Sequence, residues 1–149
     1  MSSHVGTEKY VRPYLTRDQL ATVALHYCVA AVWADCEEGT NPTVPAAERE
    51  ATRRVCLRFI DQCEQAGGLF TKAMARYEHG YGRHPDAGSA EAAFGHDFWL
   101  TRQGHGAGFW DRKELGKILG NALAEQARIF GPCHTYYQSK GRWYFGEAV

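Results

Sequence analysis

Apolar residues return at helical spacing in several stretches of the chain, and residues that start or stop helices bound each stretch. Thr16 followed by Gln19 has the form of a capping box. Leu20, Val23, Ala24, Tyr27, Ala31 and Ala34 then recur with helical period. Leu25, Val29, Val32 and Trp33 make the opposite face apolar too, which places this first helix in the middle of the fold with partners on several sides. A second helix has Val55, Cys56, Phe59, Ile60 and Cys63 on its inner face, and Gly67-Gly68 ends it by admitting left-handed backbone angles. Leu69 to Tyr77 predicts a short third helix. Ser89 caps a fourth that runs through Phe94 and Phe98 toward Arg102. Gly95 in its middle costs about 1 kcal/mol relative to Ala, so a close contact is expected there. Asp111 with Glu114 predicts a reciprocal cap for a last helix, whose buried stripe is Leu115, Ile118, Leu119, Ala122, Leu123 and Phe130 and whose stop is Gly131-Pro132.

Between these helices, 37–45 (E-E-G-T-N-P-T-V-P) and 79–89 (H-G-Y-G-R-H-P-D-A-G-S) read as connections, and 1–15 as an N-terminal arm. After the last helix, C-H-T-Y-Y-Q-S-K-G-R-W-Y-F is aromatic-rich and broken at Ser139 to Gly141, the pattern of a β-hairpin. The expected class is α+β, mainly α: a single domain over 1–149 with four or five packed helices and a small C-terminal β-hairpin. At 149 residues the chain has the length of one such domain.

Charge narrows the function classes. Seventeen basic side chains balance seventeen acidic ones, so neither a nucleic-acid footprint nor a strongly acidic surface is written into the chain. Arg49, Arg53, Arg54 and Arg58 do recur at helical spacing, which reads as a solvated face. The most apolar stretch, Leu20 to Ala34, contains Thr22 and His26 and falls short of the roughly 20 residues of a membrane span. Five cysteines, at 28, 36, 56, 63 and 133, form an odd set without C-x-x-C or zinc-ribbon spacing, as expected of reduced thiols in a cytoplasmic protein. The first sixteen residues lack the apolar region of a signal peptide.

The segment with most chemistry begins at residue 95 and reads G-H-D-F-W-L-T-R-Q-G-H-G-A-G-F-W-D-R. Two aromatic pairs, Phe98-Trp99 and Phe109-Trp110, flank a loop containing Gly104, Gly106 and Gly108. Such glycines permit a tight turn or close approach of backbone to a ligand. The string resembles the hallmark of a family of small phage-encoded proteins, H-D-F-W-L-T-R, any residue, G-H-G-A-G-F-W-D-R. Trp33, Cys56 and Phe59 also resemble that family's upstream pattern. This chain differs in the Gln138-Ser139-Lys140-Gly141 turn, where the family has an acidic Gly turn, and in the 79–89 loop, which looks like an insertion. The resemblance implies a phage or prophage origin, hence an infected or lysogenic bacterial host and action on host machinery; it supplies no catalytic residue.

Several chemistries are open to this segment. The glycine loop could cradle an anion with Arg102 and Arg112 as counter-charges, although it is neither a P-loop nor a dinucleotide fingerprint. His96, His105, Asp97 and Asp111 are suitable metal ligands, but their spacing is that of no standard site, and no metal or cofactor is assigned. His96 with Asp97, or His105 with Asp111, could work as acid and base, yet adjacent residues on a helix point apart and no nucleophile motif accompanies them. Plainer roles stand beside these: Phe98 and Phe109 buried between helices, Asp111 as a cap, the arginines on loop carbonyls. Hairpin aromatics Tyr136, Tyr137, Trp143 and Phe145 would alternate between core and solvent, leaving an edge for a partner or a second copy. The expected function is a non-catalytic accessory protein that binds a small anionic or nucleotide-like ligand, or a host protein, through His96, Asp97, Thr101, Arg102, His105, Gly106, Trp110 and Arg112. The alternatives are a small enzyme using His96 or His105, and a purely structural motif.

Overall fold

A computed structural model describes residues 9–35, 44–77, 89–104, 107–132, 137–139 and 142–144, with the side chains of 33–35, 137–139, 143 and 144 outside that description. The elements in chain order are β1 (Tyr10–Arg12), β2 (Leu15–Thr16), α1 (Arg17–Asp35), α2 (Ala46–Gln65), α3 (Leu69–Arg76), α4 (Ala90–Gln103), a 3₁₀ turn (Phe109–Asp111), α5 (Gly116–Phe130), β3 (Tyr137–Ser139) and β4 (Arg142–Tyr144). The protein is mainly helical. Among the described residues no helix is long and apolar enough to cross a membrane.

Local signals place most helix ends. The capping box before α1 forms as expected: Gln19 N–H donates to the Thr16 hydroxyl (3.0 Å) and Thr16 N–H to the Gln19 side chain (2.9 Å). Ser89 accepts from Ala92 N–H at the start of α4. Helix α1 is the central element, packed mainly on α4 and also on α2. Its tight seam with α4 explains Gly95: a Cβ there would stand 2.1 Å from the Val23 carbonyl oxygen. The core between the helices is aromatic. Phe59 of α2 and Phe98 of α4 stack with ring centroids 3.8 Å apart, and Phe70, Phe94, Phe109 and Phe130 surround them. Cys28, Cys56 and Cys63 are free thiols buried in the same core.

Three expectations need correction. First, residues read as an arm form an antiparallel pair, Tyr10 opposite Thr16 and Arg12 opposite Leu15. The two-stranded sheet that joins the helical body is therefore N-terminal, not C-terminal. Leu15 is fully buried, and the Asp61 carboxylate of α2 accepts from Arg12 (Nη2–Oδ2 2.9 Å) and from the Tyr14 hydroxyl. The long-range partner, 49 positions away from Arg12, left no local trace in the pattern. Near the C-terminal end, β3 and β4 pair antiparallel with Tyr137 opposite Tyr144 and Ser139 opposite Arg142. The expected alternation of Tyr136, Tyr137, Trp143 and Phe145 falls on side chains outside the described residues.

Second, Asp111 caps the 3₁₀ turn rather than the last helix, accepting from Gly108 N–H at 3.0 Å. Helix α5 starts only at Gly116, whose φ of +81° breaks the chain direction between the two. Third, Ile118 and Leu25, assigned to buried faces, are 89% and 53% exposed. On α5 the buried line passes through Leu119 and Leu123, as expected, and on through Ala127.

Candidate functional site

The 96–112 segment comprises the end of α4, a loop and the 3₁₀ turn, and its Asp97, Thr101, Arg102 and Arg112 side chains turn inward. Asp97 is fully buried. Arg112 donates to both of its oxygens (Nε–Oδ2 2.8 Å, Nη2–Oδ1 2.8 Å), and the hydroxyl of Tyr77, just past α3, donates to Oδ2 at 2.5 Å. The paired guanidinium and phenol satisfy a carboxylate that would otherwise be costly to bury. Burial, then the adjacent Asp97 charge, hold the Tyr77 phenol well above its usual pKa.

Thr101, one turn further along α4, links helix and loop. Its hydroxyl donates to the Asp97 carbonyl (2.8 Å) and accepts from Phe109 N–H (3.1 Å). Gly108 lies so close that a Cβ would stand 2.3 Å from that hydroxyl oxygen, at a φ of +149°. The glycine is thus required by contact with Thr101. Arg102, also buried, reaches the other way: Nε donates to the Gly131 carbonyl, Nη2 to the Pro132 carbonyl and Nη1 to the Tyr27 hydroxyl, each at 2.9 Å. Its guanidinium lies over the rings of Phe98 (5.4 Å) and Phe130 (5.0 Å). Arg102 therefore ties the end of α4 to the end of α5 and satisfies carbonyls that a helix terminus leaves open.

His96 is different, with a side chain 44% exposed. Its Nδ1 stands 3.6 Å from Asp97 Oδ1, beyond hydrogen-bonding range, and both Asp97 oxygens already serve Arg112 and Tyr77. His26 on α1 is close enough that the charge of His96, after desolvation, lowers its pKa. His105 and Gly106 lie outside the described residues. Phe98 and Phe109 are buried as expected, Trp99 is buried with them, and Trp110 is half-exposed. Among the described residues no group of three His, Cys, Asp or Glu could hold a metal ion.

The half-exposed Trp110 borders a cavity of about 480 Å³ between the ends of α4 and α5, whose walls include Thr101, Arg102, Gly104, Arg128 and Pro132. Of the expected site residues, the fold brings Thr101, Arg102 and Trp110 to this cavity and pairs Asp97 with Arg112 behind it. Sequence reasoning missed Tyr77, Tyr27 and Arg128. Tyr77 ends a short helix and Arg128 lies on an exposed helix face, so neither carried a signal; the bonds of Tyr77 to Asp97 and of Tyr27 to Arg102 span 20 and 75 positions.

The buried groups predict a pH profile. Desolvation raises Cys28 from its usual 9.0 to about 11 and Tyr14 to about 12, and raises Cys63 and Tyr77 as well. Each is neutral when protonated, so the folded state holds protons that the unfolded chain releases. Stability is then fully present below pH 9 and declines as pH rises through the folded values. His26, lowered from 6.5, acts in the opposite sense, with stability lost as pH falls below that value. Urea midpoints should be level between about pH 6.5 and 9 and lower at pH 11; an unchanged midpoint at pH 11 would contradict burial of the thiols and phenols.

No protein-family model matches the chain, and comparison with curated proteins and with solved structures gives no significant match.

Proposed function

We propose that the protein is a non-catalytic binding protein that takes a small, ring-bearing anion, such as a nucleotide, in the cavity beside Trp110. The observation that carries this reading is the pairing of an exposed indole with a cation at one cavity. Trp110 offers a flat face for stacking, and Arg128, 63% exposed, is bound among the described residues by a surface pair to Glu125 on its own helix. Such pairs contribute about 0.3–0.5 kcal/mol, so Arg128 is readily transferred to a ligand. Arg102 adds positive charge to the wall while its hydrogen bonds hold the carbonyls of Gly131 and Pro132. A binding role is favoured over acid-base catalysis because the carboxylate nearest His96 is already neutralised by Arg112. The likeness of residues 96–112 to a phage-encoded family supports a role within an infected or lysogenic bacterial cell.

Thermal unfolding against a panel of mononucleotides and cyclic nucleotides tests this directly. A ligand at 100 times its dissociation constant adds roughly 2.7 kcal/mol, several degrees in a domain of this size. The shift should disappear in Trp110→Ala and in Arg128→Ala, both exposed positions, and the ligand should be recovered unchanged. Conversion of the ligand would make the protein an enzyme. A flat panel would shift the reading to a host protein, for which the exposed Ile118 and Ile129, eleven residues apart and so on one face of α5, offer an apolar stripe.

A further inference from the structure

Between α1 and α2, two cavities of about 280 Å³ and 120 Å³ share one residue, Arg53 of α2. Their apolar walls are Val11, Leu20 and Leu57 in the larger and Ala24, Leu25 and Cys28 in the smaller. Arginines edge both: Arg17, Arg53 and Arg54 at one, Arg49 and Arg53 at the other, against a single acid among the described residues, Glu50. Three of the four arginines that read as a solvated face, Arg49, Arg53 and Arg54, therefore border a groove, and Leu25, expected in the core, forms part of its wall.

We infer that this groove is a docking site for a short acidic segment of a partner protein, with an apolar side chain seated between carboxylates. Glu50 already shows the carboxylate chemistry, bound by Arg53 (2.8 Å) and Arg54 (3.5 Å) on adjacent turns of one helix. These are exposed pairs, so an incoming carboxylate competes with them at little cost. Arg53 Nε is shielded from solvent and has no hydrogen-bond partner among the described residues. An unmet N–H of a charged group is costly there, so turning this 40%-exposed side chain toward an incoming carboxylate breaks no bond of Nε and lets Nε and Nη act as a fork.

Size and composition select the partner class. From Arg49 to Leu57 helix α2 advances about 12 Å, the span of about four extended residues. Single-stranded nucleic acid would need aromatic faces for its bases, and among the described residues no aromatic lines either cavity. Overall charge neutrality also removes the long-range attraction that phosphate backbones exploit. An acidic peptide uses both the local positive rim and the apolar floor.

Fluorescence anisotropy with three labelled probes tests the inference. One is an octapeptide library with Leu, Ile, Phe or Met at the centre and Asp or Glu on both sides; the second replaces the acids with Lys; the third is a single-stranded oligothymidylate. At least one acidic peptide should bind about tenfold more tightly than its Lys counterpart and than the oligonucleotide, and more weakly as salt rises. Arg53→Glu with Arg54→Glu should abolish binding, Arg53→Lys should weaken it by removing the fork, and Leu25→Ser should weaken it without changing the salt slope. These positions are exposed or partly so, and circular dichroism verifies the fold of each variant. Trp110→Ala should leave peptide binding unchanged, which separates this surface from the cavity beside Trp110. Equal binding of acidic and Lys peptides, tighter binding of the oligonucleotide, or full binding by the double Glu variant would each overturn the inference.

Discussion

Arg112→Ala should lower the unfolding free energy by about 3–5 kcal/mol, because it leaves a buried carboxylate with its counter-charge gone. Asp97 has no exposed surface, and after the substitution the Tyr77 hydroxyl is the one hydrogen-bond partner left to its oxygens among the described residues, besides the distant His96. With total stability of about 5–15 kcal/mol for a domain, this is a large share. Tyr77→Phe, which removes one hydrogen bond to the same charge, should cost less, about 1.5–3 kcal/mol. A triple variant, Asp97→Leu with Arg112→Met and Tyr77→Phe, should be more stable than Arg112→Ala alone, since it removes the buried charge together with its partners. Urea midpoints of the variants order these effects. A loss below about 1 kcal/mol for Arg112→Ala would mean that water reaches Asp97 and that the network does not hold the loop.

This network shows where sequence reasoning succeeds and where it stops. Residues 96–112 stood out because His, Asp, Thr and Arg crowd between paired aromatics and glycines, and the fold joins Asp97 to Arg112, Thr101 to Phe109 and Arg102 to the end of α5. The direction in which each side chain points was not readable. Whether Arg112 faces solvent or Asp97 depends on the path of the loop, which the bonds of Thr101 to Phe109 N–H and of Asp111 to Gly108 N–H hold and which no local pattern announced. Capping pairs such as Thr16 with Gln19 were readable because both partners lie within one turn. Arg12 with Asp61, Tyr27 with Arg102 and Gln62 with Gln126 were not, since nothing local marks a partner 49 to 75 positions away.

Burial on α1 and α5 follows the same logic. Periodicity identified both helices, but an apolar residue is compatible with either side of a helix that has several neighbours. Leu25 and Ile118 were placed inside on period alone, and the structure leaves both exposed. The consequence for function is positive: apolar side chains that the core does not claim are the ones left to meet partners. Leu25 beside Arg49 and Arg53, and Trp110 beside Arg128, each combine an apolar surface with a cation at the mouth of a cavity. The buried half of the 96–112 segment then holds the exposed half in position.

Gly95→Ala tests the seam that sets the whole arrangement. On helix propensity alone the change should stabilise α4 by about 1 kcal/mol. The added methyl, however, would meet the Val23 carbonyl oxygen at 2.1 Å, its carbon at 2.9 Å and the Tyr27 nitrogen at 3.1 Å, all backbone atoms of a central helix that cannot rotate aside. Helices α1 and α4 must then move apart, loosening the contact of Tyr27 with Phe98 (5.2 Å between centroids) and the bond from Arg102 to Tyr27. Overpacking of this kind costs about 1–3 kcal/mol and more where backbone is the obstacle, so the net change should be a loss of at least 2 kcal/mol. Gly104→Ala is the control: it has a φ of +73° but nothing within 4 Å of the new methyl, and its cost should be the conformational 1–2 kcal/mol or so. Thermal midpoints should fall further for Gly95→Ala than for Gly104→Ala, and Gly95→Ser should fall further still. If Gly95→Ala instead raised the midpoint, propensity would outweigh contact, and the close approach of α1 to α4 could not be what requires glycine at this position.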